Sequence, residues 1–193
     1  MNNDEKIRRL QLEEDLKSEY LGLIDSKIDR YLEIDHQAII GWHHFAPASS
    51  ECIKLYRDGY FIGTVMMSHA INEGIIKFVA ERNIINRQKA DNTTKTIDEL
   101  IVELQGKNLI SENCAKSSLV IWKSYRNDIH HMNPSVSNIP FQELAQRNIK
   151  HLSAIENEIF GCEIKNGGLV PHQPKYWDEN AEGRIGAWLR LGY

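Results

Sequence analysis

Apolar residues recur every three or four positions along most of this 193-residue chain, and this spacing is typical of helices. An α-helix completes a turn in about 3.6 residues, so side chains spaced in this way share one face. Five segments show the pattern, each bounded by Gly, Pro or polar residues. We predict helices over residues 4–35, from Ser49 or Ser50 to about Ile84, over 97–105, from Ser111 to just before Pro134, and from Pro140 to about Ile159.

These helices predict an all-α protein, an up-and-down bundle of four to five helices over residues 1–168 with its core at about 50–165. Residues 64–71 are apolar or small on nearly every side, which favours a buried central helix. Residues 169–193 hold Trp177, Trp188 and Tyr193. This aromatic C-terminal extension is predicted to pack on the bundle or on a partner subunit, because aromatic side chains bury large areas.

Composition indicates a globular protein with no membrane partner. Hydrophobic residues make up 41% of the chain and charged residues 26%, with no apolar run of membrane-spanning length. The first residues are polar and unlike a secretory signal. The three cysteines are far apart and form no CxxC pair, as expected of reduced thiols. We therefore expect a cytoplasmic protein.

The charge balance argues against a broad nucleic-acid surface. The formal net charge is −4, and residues 1–40 carry all of it, with ten acidic and six basic residues. The rest of the chain is therefore balanced. A small phosphate site remains compatible with this, since one or two well-placed cations are enough to form it.

One segment, residues 125–132, concentrates groups suited to phosphate chemistry. It contains Arg126, Asn127, His130 and His131 near the end of a predicted helix. On a helix, Arg126 lies beside the apolar stripe of Trp122 and Ile129. His130, Asn127 and His131 follow at about 40°, 100° and 140° around the helix axis from Arg126, so all four side chains border the core. So much hydrogen-bonding capacity at the border of a core suggests that something binds there.

Cleavage of RNA without a metal needs a base, a cation and an acid. The base takes the proton of the 2′-hydroxyl, the cation stabilises the charge on phosphorus, and the acid protonates the leaving 5′-oxygen. Imidazole can serve as acid or base because its usual pKa is near 6.5. Guanidinium matches two phosphate oxygens with its planar fork. Two copies of the segment around a two-fold axis would supply two of each.

The pattern Arg126-Asn127-x-x-x-His131 resembles the Arg-x(4–6)-His signature of HEPN domains (higher eukaryotes and prokaryotes nucleotide-binding). The resemblance covers roughly residues 50–165. It implies a HEPN-like bundle that forms a homodimer with its cleft at the subunit interface. It also implies metal-independent RNA cleavage that leaves a 2′,3′-cyclic phosphate. Such proteins typically act as toxins or antiviral factors, often restrained by an antitoxin protein.

The resemblance also assigns roles to individual residues. Arg126 would bind the scissile phosphate, Asn127 would position the substrate or the opposite chain, and His131 would be the acid or base. His130 lies closer to Arg126 by helix geometry, although the family spacing selects His131. Some HEPN proteins also use a polar residue from an earlier helix. Glu73, one turn after His69, is the candidate here, and the resemblance therefore implies that Glu73 and His69 contact the substrate.

Other readings of the same residues remain open. The domain could be a non-catalytic HEPN-like module that binds a nucleotide or a partner protein, or a purely structural dimerisation bundle. Arg126 could form an ordinary ion pair, His130 and His131 could terminate a helix, and His69 could be a hydrogen-bonded core histidine. His43, His44, His36 and Cys52 match no standard zinc spacing. We therefore expect no metal and no cofactor.

Overall fold

The computed structural model describes residues 2–190 and is predominantly helical, as predicted for the all-α class. Tyr193 of the aromatic extension lies outside the described residues. The α-helices, in chain order, are α1 (Asn3–Leu32), α2 (Ala46–Asp58), α3 (Phe61–Arg82), α4 (Ile97–Gly106), α5 (Glu112–Trp122), α6 (Arg126–His130) and α7 (Phe141–Phe160). The strands are β1 (Ile39–Gly41), β2 (Cys162–Lys165), β3 (Gly168–Pro171) and β4 (Ala187–Leu189). Within the described residues, no helix is both long enough and apolar enough to cross a membrane.

The chain divides into two compact units between Glu33 and Ile34. Helix α1 belongs to the first unit, and Asn2 and Glu5 form a reciprocal capping box at its start. None of its residues is buried. The predicted domain 1–168 includes this helix, and residues 169–190 of the predicted extension belong to the second unit. Most apolar residues of α1 are exposed, so the periodicity of this helix does not by itself indicate a buried face.

Helix α3 is the central helix of the second unit. It contacts α2, α4, α5 and α7, and it buries residues on several sides, as predicted for the segment 64–71. The prediction of one helix from Ser49 or Ser50 to Ile84 is wrong, because α2 ends at Asp58. Gly59 follows in the left-handed conformation, with φ +87°, which costs glycine little because it has no Cβ.

Short-range signals located the starts of α4 and α5 correctly, whereas α2 begins at Ala46, before the Ser49 or Ser50 predicted to cap it. Thr96 and Glu99 form the predicted capping box of α4, and the side chain of Ser111 accepts a hydrogen bond from the backbone of Cys114 in α5. Each cap joins residues three positions apart, so the local sequence is sufficient to specify it.

The C-terminal extension contacts the bundle through strands that periodicity did not predict. Strand β4 pairs antiparallel with β1, and Trp188 lies opposite Ile40. Strands β2 and β3 form a hairpin across Asn166-Gly167, both at positive φ, where we expected only the end of the bundle. An Asn-Gly pair is a strong hairpin signal, so the sequence did contain this information.

The extension also supplies core residues. Tyr176 is completely buried and Trp177 nearly so. The Arg190 guanidinium lies 2.5 Å from the Glu156 carboxylate, and both side chains are only 3% exposed. Ser49 donates a hydrogen bond to Glu156 and accepts one from Arg190, which ties β4 and its C-terminal neighbour to α2 and α7.

Candidate functional site

A cavity of about 410 Å³ lies between α3 and α6. Helix α3 lines it with His69, Glu73 and Lys77, which are spaced four residues apart and therefore share one face. Helix α6 lines it with Arg126 and His130, also four apart. This Arg126 cavity is of a size that admits a small ligand.

Arg126 approaches the cavity through a break in the helix. The sequence predicted one continuous helix from Ser111 to Pro134, but α5 ends at Trp122 and Tyr125 is left-handed, with φ +45°. The Arg126 guanidinium carbon lies 5.0 Å from the centre of the Trp122 ring. This cation–π contact fixes one side of the guanidinium while its edge remains able to bind an anion.

Buried hydrogen bonds hold this break in place. Nε2 of His69 lies 2.7 Å from the backbone oxygen of Ser124 and 3.0 Å from its hydroxyl. The Asn148 amide donates to the hydroxyls of both Ser68 and Ser124, at 3.1 Å each. Helices α3 and α7 therefore determine the backbone position from which α6 begins, as expected where a strained conformation is maintained by its surroundings.

The same contacts determine the protonation of His69. A carbonyl oxygen can only accept, so Nε2 carries the proton, and Nδ1 keeps its lone pair. Among the described residues, buried Nδ1 has no hydrogen-bond partner. Burial chiefly, and then the charge of Arg126, lowers the pKa of His69, while the Ser124 carbonyl and Glu73 raise it. His69 is therefore neutral near pH 7 and can act as an acceptor.

Glu73 connects the two cations of the Arg126 cavity. One of its oxygens lies 2.6 Å from Nζ of Lys77 and the other lies 3.4 Å from Nη1 of Arg126. Two cations and one carboxylate leave one net positive charge in the cavity, which favours an anionic ligand. Lys77 was not identified from the sequence, although its position four residues after Glu73 was a usable signal.

The other three residues of the predicted motif are exposed, and two of them lie outside the Arg126 cavity. Asn127 and His131 are exposed and do not line the cavity, and His130 lines it but is also exposed. The expectation that all four polar residues border the core is therefore wrong for these three. His131 terminates α6, with its ring centre 5.7 Å from that of His130. The predicted angles of these three residues hold only if α5 continues through residues 126–131. The break at Tyr125 interrupts the helix, so the angles do not apply.

The candidate metal ligands of the sequence do not gather into a site. Between Asn2 and Arg190, no group of three or more His, Cys, Asp or Glu side chains is placed to hold a metal ion. His43 instead stacks against Phe45 and Phe160, at ring-centre distances of 3.7 and 4.2 Å.

No known family model, curated protein or solved structure matches this chain. The resemblance to HEPN domains therefore rests on residues 126–131 and on the helical pattern around them.

Proposed function

We propose that the protein is a metal-independent endoribonuclease of the HEPN type. The observation that supports this most directly is the Arg126 cavity, where a guanidinium, an ammonium and two imidazoles from two helices surround one space. These are the groups needed to hold a phosphodiester and to move protons to and from it.

In the proposed reaction, the 2′-hydroxyl oxygen attacks the adjacent phosphorus. The hydroxyl proton passes to a basic group, the bond from phosphorus to the 5′-oxygen breaks, and an acid protonates that oxygen. The products are a 2′,3′-cyclic phosphate and a 5′-hydroxyl. Arg126 stabilises the charge on the phosphate oxygens, His131 exchanges protons as the acid or base, and the neighbouring His130 helps to hold the phosphate.

A homodimer would complete this site. Asn127 and His131 are exposed next to the cavity, and so are Tyr125 and Met132, at 48% and 72%. An exposed rim that combines polar and apolar side chains suits contact with a second copy. A partner's helix α6 placed against this rim would bring a second guanidinium and imidazole pair to the same phosphate. A toxin or antiviral role, with restraint by an antitoxin protein, follows from the same resemblance.

The test is cleavage of RNA by the purified protein with and without EDTA. We expect cleavage that EDTA leaves unchanged, a 2′,3′-cyclic phosphate terminus, and a loss of about 100-fold or more in Arg126→Ala.

Arg82→Ala is a closely matched control for this variant. Like Arg126, Arg82 pairs with one carboxylate, that of Asp178, and its guanidinium carbon lies 5.0 Å from the centre of an aromatic ring, that of Phe78. The Arg82 side chain is 36% exposed and the Arg126 side chain is 37% exposed. It does not line the cavity. Equal activity of the two variants would overturn the proposal. If the wild type binds RNA but leaves it intact, the protein is instead a non-catalytic nucleotide-binding module.

A further inference from the structure

A second cavity, of about 680 Å³, includes Ser124 and Tyr125 of the α5–α6 break in its lining. Helix α5 lines it with Lys116 and Leu119, α7 with Arg147, and the residues after α5 with Lys123 and Tyr125. We call it the Tyr125 cavity. None of its cationic residues belongs to the motif that suggested the nuclease.

The Tyr125 cavity carries an excess of positive charge that the protein itself does not neutralise. Three cations and a single carboxylate, that of Glu112, line it. Lys116, Lys123 and Arg147 form no ion pair with any residue in the part of the chain that the structure describes. An excess of two positive charges on a chain of net charge −4 favours an anionic ligand at this place.

An aromatic side chain lies at the same cavity. Tyr125 is 48% exposed, and its backbone conformation is unusual for a residue with a side chain. Ser124, directly before it, is held by His69 and Asn148. Exposed aromatic rings beside lysine and arginine are the usual means by which proteins bind single-stranded nucleic acid, with bases stacked on the rings and phosphates on the cations.

The two cavities adjoin along the chain. Tyr125 lines one and Arg126 lines the other, and consecutive Cα atoms are only about 3.8 Å apart. A polyanion whose phosphate contacts Arg126 therefore has a second positively charged cavity one residue away along the backbone.

We propose that the Tyr125 cavity binds the nucleotides that flank the scissile phosphate of a single-stranded RNA. Lys116, Lys123 and Arg147 contact its phosphates, and Tyr125 stacks on a base. This inference rests on the proposed nuclease function, and it names the substrate as single-stranded RNA longer than a dinucleotide.

The test measures binding of a labelled 2′-O-methyl RNA hexamer, which lacks the attacking hydroxyl, at several salt concentrations. In Lys116→Gln/Lys123→Gln we expect about tenfold weaker binding at low salt. The slope of log affinity against log salt should fall by about 1.4, since each phosphate contact to a single strand contributes about 0.7. Tyr125→Leu should bind several-fold more weakly, while Tyr125→Phe, which keeps the ring, should bind like the wild type.

The control Lys54→Gln/Lys165→Gln changes the net charge equally at exposed positions outside both cavities. If it weakens binding as much as Lys116→Gln/Lys123→Gln does, or if the wild type does not bind the hexamer, the inference is overturned. The nuclease proposal has a separate readout. If the wild type binds the hexamer through Lys116 and Lys123 but cleaves no RNA, the RNA-binding role of the Tyr125 cavity is supported and the nuclease proposal is overturned.

Discussion

The Glu73 carboxylate lies 3.4 Å from the Arg126 guanidinium and 2.6 Å from the Lys77 ammonium group, so it forms ion pairs with both cations of the Arg126 cavity. A phosphate that binds there must compete with this carboxylate. Glu73 would therefore be both a neighbour and a competitor of an anion bound in this cavity.

Glu73→Gln should bind inorganic phosphate about two- to fivefold more tightly than the wild type. A partly exposed ion pair contributes about 0.5–1 kcal/mol, and the amide no longer neutralises Arg126 and Lys77. Isothermal titration calorimetry at low salt measures the effect. Glu81→Gln, at an exposed position of the same helix, should bind like the wild type. Weaker binding in Glu73→Gln would show that the carboxylate supports the ligand site instead of competing for it.

His130 and His131 should affect different kinetic constants. His130 lines the cavity with Arg126, so His130→Ala should raise KM for RNA while changing kcat little. His131 lies outside the cavity wall, but it is the histidine that the HEPN spacing selects as the general acid or base. His131→Ala should therefore lower kcat by about 100-fold. Steady-state cleavage of an oligoribonucleotide separates the two constants. The opposite result would make His130 the proton-transfer group.

Arg190→Met should destabilise the protein by about 3–5 kcal/mol, because it leaves the Glu156 carboxylate buried without its cation. Urea unfolding measures the loss. Arg184→Met removes a comparable pair with Glu182, but those side chains are 79% and 64% exposed, so we expect a change within about 0.5 kcal/mol. Arg190→Met/Glu156→Met should regain much of the loss, since no charge then remains buried. Equal effects of the two single variants would mean that Arg190 is solvated.

His43 should make the protein less stable in acid. Burial, followed by the charges of Arg190 and His44, lowers the pKa of His43 to about 3, against about 6.5 in the unfolded chain. Between these values the unfolded state binds more protons, so stability decreases as the pH falls from 6.5 towards 3, by up to about 1.4 kcal/mol per pH unit. Burial and the charge of Arg57 also lower the pKa of His36, to about 4, and this adds to the effect.

His43→Phe keeps the ring between Phe45 and Phe160 but cannot take up a proton, so it should reduce this slope. The free energy of unfolding in urea, measured at pH 7 and pH 5, tests this. His44→Phe changes the exposed neighbour and should leave the slope as in the wild type. An unchanged slope in His43→Phe would show that other groups cause the acid sensitivity.

Helix starts could be predicted from the sequence because their contacts are local. The capping residues Thr96 and Glu99 are three positions apart, and Ser111 caps the backbone three residues on. The Asn166-Gly167 hairpin is equally local, but glycine also commonly ends a helix, so the sequence pattern alone fits either structure.

The break between α5 and α6 could not be predicted in this way. No Gly or Pro marks it, and the contact that holds it joins Ser124 to His69, 55 positions earlier. The same break decides which polar residues reach the Arg126 cavity. The choice between His130 and His131 therefore depends on tertiary packing more than on helical periodicity.

Sequence alone determined that the chain is predominantly helical, where several helices start, and which short segment gathers a guanidinium, an amide and two imidazoles. These properties depend on residues within a few positions of each other, where spacing translates directly into geometry. Tertiary structure decided which of those side chains share a cavity, that Lys77 and Glu73 join them, and that Arg190 is buried with Glu156. Such contacts connect residues that are distant in the chain, and only the packing of complete helices and strands brings them together.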